Sequence, residues 1–378
     1  MASSTHEHHL HHLPTPYGTT TAPPPTPSTQ PNSLLSTSGS EAADSLSRLL
    51  HRIPPTLSLS FPGRRQSPPL TTTSPPLISL SDPKPTLHSN LLSAAKQHGY
   101  FQLTNHSISS QLATSAESES SSIFNLPHDE KQRYFPKNWP LGFDNDDDDD
   151  DDNVNGKSLC LDSSCSVESN STELGLTSLR EFTCQMEKLG LQVIEELACA
   201  VGFENPVGED RTRFCSLMWI SETEGGLSNK PLSSSPLYPF VIGLSFQIRC
   251  RKYSMLADSG WVSVSPQVDS VLVTLGDIAQ VWSNGKVKKV RGRAIPTSAD
   301  IAEGKSNSNS HSVSMTLLVT LPLESTVTPL LPKSAPPVDD GENNSESPMF
   351  NPFSFEDYAW RVYHERLLLK DPLVRYRL

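Results

Sequence analysis

The 378-residue chain has room for one or two domains. With 35% hydrophobic residues, 33 prolines and a net charge of −12, however, it does not read as folded throughout. Much of the negative charge sits in Asp144 and the run Asp146–Asp152; the remainder is nearly neutral, which excludes the basic footprint of a nucleic-acid binder. No stretch reaches the roughly 18 apolar residues of a membrane span, and no apolar leader follows the start, so secretion is not expected.

Residues 1–75 are dominated by Pro, Ser and Thr and read as a disordered tail. Its histidines (His6, His8, His9, His11, His12) lack the fixed geometry of a metal site. The cytoplasm or the nucleus is the expected location; the first forty residues lack the arginines of a plastid transit peptide. Order begins near Pro76. Leu77–Leu80 reads as a strand, Leu87–His98 as a helix stopped by Gly99, and Tyr100–Leu103 as a second strand. Ile108–Phe124 reads as a Ser-rich helix, and Leu126–Lys131 as the entry to another. From Asp144 to about residue 173 apolar residues nearly vanish, which predicts a solvated, self-repelling insertion. A Ca²⁺ loop is the sharper alternative, but consecutive Asp residues lack its glycine and spaced ligands.

A long helix follows. Ser178 with Glu181 has capping-box spacing, and Leu179, Phe182, Met186, Leu189, Val193, Leu197 and Val201 form one stripe ended by Gly202. The chain then turns β-like. Predicted strands are Arg213–Ile220, Phe240–Cys250, Tyr253–Leu256, Trp261–Ser265, Ser270–Leu275, Val281–Trp282, Lys288–Ala294 and Ser312–Leu321. Pro332–Asn351 reads as a loop and Phe355–Leu369 as a closing helix. Many short strands with tight turns predict a sandwich or jelly roll. The six cysteines have no zinc spacing and read as reduced thiols of an intracellular protein. Cys160 and Cys165 fall in the polar stretch; Cys184, Cys199, Cys215 and Cys250 read as small buried groups.

Two blocks carry a family resemblance. The first is Pro76–Leu80, then Ala94–His106, then Phe124–Pro127 with Glu130-Lys131; the second is Gly276–Lys286. Tyr238-Pro239 and Trp261–Val264 lie in order between them, and Asp357-Tyr358 near the end. Together they resemble plant 2-oxoglutarate- and Fe(II)-dependent dioxygenases over about residues 76–378, apart from the acidic insertion. The resemblance implies an α+β, mainly β fold: a double-stranded β-helix (jelly roll) core with flanking helices. Five regions follow: the tail 1–75, a helical and strand region 76–143, the insertion 144–173, the long helix plus β-helix 174–332, and a loop and helix 333–378.

The resemblance also implies an iron site of His-x-Asp and a distal His, with an Arg-x-Ser motif for 2-oxoglutarate. This sequence departs from that pattern. No histidine lies between His128 and His311. Gln247 and Arg249 match His-x-Asp, Gly292 matches the distal His, and Ser312 matches the Arg. Tyr238 and Ser314 remain as possible ligand contacts. Arg249, Arg251, Lys252, Lys286, Lys288, Lys289, Arg291 and Arg293 either rim an anion pocket or point alternately to solvent. No catalytic residue, no metal and no cofactor are expected. The expectation is a non-catalytic binding or regulatory module with a small organic acid or a protein as partner, and neither nucleic acid nor membrane. The alternative is an oxidoreductase of this superfamily using Fe(II) and 2-oxoglutarate through a non-standard site, acting on a plant hormone or specialised metabolite.

Overall fold

The computed structural model describes residues 72–144, 158–163, 174–208, 213–223, 237–296, 312–331, 347–365 and 370–378. All lie in the unit Ser67–Leu378. Residues 1–71 of the tail and the run Asp146–Asp152 are outside the described residues; the end of the tail is ordered, with Thr72 and Thr73 paired to Ser263 and Val264.

The first part alternates short strands and helices: β1 (Thr72–Thr73), β2 (Leu77–Ser79), α1 (Lys84–Gln97), β3 (Tyr100–Thr104), α2 (Ser110–Phe124), α3 (His128–Tyr134) and β4 (Gly142–Asp144). Next come β5 (Ser158–Asp162) and the long α4 (Thr177–Val201). The β-rich part holds β6 (Cys215–Thr223), β7 (Ile242–Phe246), β8 (Tyr253–Ala257), β9 (Gly260–Val264) and β10 (Val271–Leu275). It continues through α5 (Asp277–Trp282), β11 (Val290–Pro296), β12 (Ser312–Thr320) and β13 (Thr326–Val327). β14 (Phe353–Ser354), α6 (Phe355–His364) and a 3₁₀ turn (Pro372–Tyr376) close the chain.

Two sheets form the double-stranded β-helix. The larger has eight strands in the order β2-β3-β10-β7-β12-β6-β5-β4, and the smaller has four, β1-β9-β8-β11. Pairing is antiparallel except β2 with β3 and β1 with β9. Side chains alternate across β7 and β12. Ile242, Leu244 and Val319 face Gly190 of α4, so the apolar stripe of that helix packs on the outer face of the large sheet. Gly243 and Leu318 point to the other face, beside Thr274. Tyr100, Tyr253, Met255, Val264, Leu272 and Val290 form a separate buried cluster.

Four expectations need correction. Residues 158–162, placed inside the insertion, form β5, paired with β6 along its whole length. The triplet Leu159-Cys160-Leu161 is buried there; it is too short to stand out of a polar window, and long-range pairing rather than local pattern orders it. Val281-Trp282 is the end of helix α5, not a strand. All six residues of α5, Asp277 and Gln280 included, are buried, so its six-residue sequence shows no apolar stripe at helical spacing. Ser178 and Glu181 form no capping box: the N-cap of α4 is Leu176, without a side-chain cap of its own. Instead Glu119 of α2 accepts from the backbone N–H of Ser178 (3.0 Å) and Leu179 (2.8 Å), while Glu181 pairs with Gln185. Finally, Cys160 is buried, Cys184 half-buried, and Cys199, Cys215 and Cys250 are exposed.

Candidate ligand site at the end of β7

Strand β7 runs in the middle of the large sheet, between β10 and β12. Past its last residue the chain bends along the start of β10. The Gln247 N–H donates to the Ser270 carbonyl (2.9 Å), and its own carbonyl accepts from Asp269 N (2.9 Å). The Gln247 side chain is 1% exposed, and its amide folds back to donate to the Ser245 carbonyl (3.0 Å). Two residues on, the Arg249 fork meets Glu117 of α2, with Nη1 to Oε1 at 2.5 Å and Nη2 to Oε2 at 2.6 Å. Arg251 donates through Nη1 to the Val313 carbonyl (3.1 Å), and its Nη2 lies 3.7 Å from Glu117 Oε1. Two guanidinium groups thus converge on one carboxylate that is 10% exposed.

Beside this cluster is a cavity of about 20 Å³, lined by Glu117, Arg249, Arg251, Tyr253, Ser245, Ser314 and Thr316 together with the apolar Phe246, Ile248, Val313 and Met315. Ser245 Oγ and Thr316 Oγ1 are 2.8 Å apart. Burial pushes the Tyr253 phenol above its usual pKa, against the nearby Arg251 cation, so it stays protonated at neutral pH.

Of the other matched positions, Ser314 lines this same cavity, whereas Gly292, Ser312 and Tyr238 are not among its lining residues. Gly292 is in β11 with φ +69°, within an irregularity of the β8–β11 pairing between Arg291 and Ile295. Its neighbour Arg293 reaches β6, donating to Ser221 Oγ (3.0 Å) and lying 4.2 Å from the Trp219 ring centroid. Ser312 starts β12 opposite Thr223. Ser314 lies opposite Ser221 and donates to its carbonyl at 3.4 Å. Tyr238 is buried between the rings of Trp139 and Phe355, and burial raises its pKa. Gln247 and Arg249 therefore bond to β7, β10 and α2, whereas the surroundings of Gly292 bond to β6.

This donor set does not fit Fe(II). It offers one neutral amide oxygen, Gln247 Oε1, which is buried without a hydrogen-bond partner, a guanidinium already committed to a carboxylate, and a residue with no side chain; one neutral oxygen beside a cation is no ligand set for Fe(II). Among the described residues no group of three or more His, Cys, Asp or Glu is placed to hold a metal.

Of the basic residues expected to rim a pocket, only Arg249 and Arg251 line the cavity. Lys289 is fully buried and 2.7 Å from both Asp277 and Asp371; it serves the core. Glu117 escaped notice in the sequence. Its signal was position: with Ala113, Ala116, Ser120, Ile123 and Phe124 it lies on the buried face of α2, where an acid needs a partner.

A mainly antiparallel jelly roll preceded by a helix-and-strand region and backed by a long helix is the architecture of a 2-oxoglutarate/Fe(II) oxygenase. The family model described as "2OG-Fe(II) oxygenase superfamily" matches residues 242–317. The one described as "non-haem dioxygenase in morphine synthesis N-terminal" matches residues 75–170. The chain is 24% identical over 329 residues to gibberellin 2-beta-dioxygenase 2 of Arabidopsis thaliana, an alignment covering 81% of this chain and 89% of that one. It is 26% identical over 251 residues to codeine O-demethylase of Papaver somniferum, covering 59% and 67%. The rice dioxygenase for auxin oxidation superposes with a TM-score of 0.58 at 15% identity, over 81% of this chain and all of that one. The chain belongs to the 2OG-Fe(II) oxygenase superfamily.

Proposed function

We propose that this superfamily member is a non-catalytic binding or regulatory module that recognises a small organic acid or a protein partner. The observation that carries the reading is the pairing of Arg249 with Glu117. Where the resemblance calls for a metal-binding carboxylate, the chain supplies a cation that already has a carboxylate of its own. A cation there repels a divalent metal. Gly292, at the position matched to the third ligand, has no donor atom to offer.

A second reading has support in the relatives. Those bearing names such as gibberellin 2-beta-dioxygenase favour an oxidoreductase acting on a plant hormone or a specialised metabolite. The two readings separate in one titration. Purified protein is mixed with Mn²⁺, a redox-silent stand-in for Fe²⁺, and with 2-oxoglutarate, and heat is recorded by calorimetry. The non-catalytic reading expects no metal-dependent heat at millimolar ligand. Stoichiometric, Mn²⁺-dependent binding of 2-oxoglutarate overturns it and favours the oxidoreductase.

A further inference from the structure

We propose that the arginines following β7 and the hydroxyl-lined cavity beside them form a metal-independent site for a small carboxylate, closed in this structure by Glu117 acting as an internal ligand. The inference rests on the binding-module reading and names its ligand class.

Charge supports it first. Arg249 and Arg251 bring two positive charges to one carboxylate, so the cluster keeps a surplus of one. Among the described residues that line the cavity, Glu117 is the single acid; Ser245, Tyr253, Ser314 and Thr316 all carry hydroxyl donors. Besides Glu117, a second carboxylate entering there meets two guanidinium groups and four hydroxyl-bearing residues, with Phe246, Ile248, Val313 and Met315 as apolar wall. Geometry supports it next. The Arg249–Glu117 contact is fork on fork, the arrangement in which guanidinium selects carboxylate over a point acceptor. Glu117 thus marks where a ligand carboxylate sits. Arg251 is held in place by the Val313 carbonyl and is only 15% exposed, so it is presented in a fixed pose, which lowers the ordering cost of binding.

Size sets the gate. A cavity of about 20 Å³ has room for one or two waters, far below the roughly 300 Å³ at which ligand pockets begin. An incoming acid must therefore displace the Glu117 side chain. Arg249 is 51% exposed, so the exchange can begin from solvent, whereas Glu117 is 10% exposed and bidentate, which makes it a strong competitor and leaves wild type a weak binder. The internal carboxylate competes with the external one, so removing its charge raises the apparent affinity.

Succinate in metal-free, EDTA-containing buffer is the probe, and calorimetry is the readout. Wild type is expected to bind weakly, Glu117→Gln at least tenfold more tightly, and Glu117→Gln with Arg251→Gln not measurably. Equal affinity of wild type and Glu117→Gln overturns the proposal, as does retention of binding in the double variant. Should Glu117→Gln fail to fold, wild type is compared with Arg251→Gln by thermal unfolding at saturating succinate. A rise in Tm confined to wild type supports the site; no rise, or an equal rise in both, overturns it. Failure here leaves the non-catalytic reading standing, whereas Mn²⁺-dependent 2-oxoglutarate binding overturns that reading instead.

Discussion

At Gly292 the backbone sits in the left-handed region (φ +69°), where an L side chain is strained by roughly 1–2 kcal/mol. Gly292→His is therefore expected to lower the unfolding free energy by about that amount in urea titration. The same position bears on reconstruction of an iron site. A chain carrying Gln247→His, Arg249→Asp and Gly292→His is expected to gain no tight Mn²⁺ binding. Position 247 is tied to Ser270 and Asp269, position 249 faces Glu117, and the segment of Gly292 turns toward Ser221 and Trp219. An aspartate at 249 also adds repulsion against Glu117. Stoichiometric Mn²⁺ binding by this variant, followed by calorimetry, would show that the three positions do converge. The residue types at these positions were legible in the sequence because a motif fixes their spacing. Their partners were not: Glu117 lies 132 residues from Arg249, and nothing local to either records the pairing.

Elements show the same division between local pattern and distant contact. The stripe of α4 and its Gly202 stop are visible in the sequence because helical periodicity is local; the helix ends at Val201 with Gly202 left-handed after it. Its cap was not visible, because Glu119 reaches it from α2. A carboxylate on the free N–H groups of a first helical turn both satisfies donors and complements the helix dipole. Glu119→Ala is expected to cost about 1 kcal/mol, the usual value of an N-cap, read as a lowered urea midpoint at unchanged m. Farther along α4, a Cβ at Gly190 would stand 2.7 Å from Val319 Cγ2 and 3.2 Å from Leu244 Cδ1. Both belong to central strands of the large sheet, so the helix cannot recede without lifting off its packing surface. Gly190→Val is expected to destabilise by about 1–3 kcal/mol through overpacking and to lower Tm; an unchanged Tm would mean that α4 has slack against the sheet.

On the scale of the whole molecule, the jelly roll was legible because strand and turn signals recur through the second half of the chain. β5 and the buried ion network were not, since each depends on segments that meet only after folding. Lys289 is fully buried between Asp277 at the start of α5 and Asp371 at the start of the closing 3₁₀ turn. Tyr358 of α6 donates to Asp277 Oδ2 (2.8 Å), so one cation ties the C-terminal segment to the sheets. Removing a partner from a buried pair leaves uncompensated charge, and Lys289→Met is expected to cost about 3–5 kcal/mol. The pH dependence follows from Asp371. Burial alone would raise its pKa, but the Lys289 ammonium beside it outweighs burial and holds the carboxyl below its usual range. A depressed carboxylate stabilises the fold fully above its unfolded pKa of about 3.9 and loses that contribution as pH falls through the lower folded value. Wild type should therefore lose stability in urea below about pH 4 more steeply than Asp371→Asn. In Lys289→Met, Asp371 loses the ammonium that outweighs its burial and keeps the weaker help of the Leu373 N–H and Arg291, which shifts it toward its protonated form. The deficit of this variant against wild type should then be largest near neutral pH and narrow on acidification. A deficit that stays constant from neutral pH down to about pH 3 would mean that Lys289 contributes packing rather than charge.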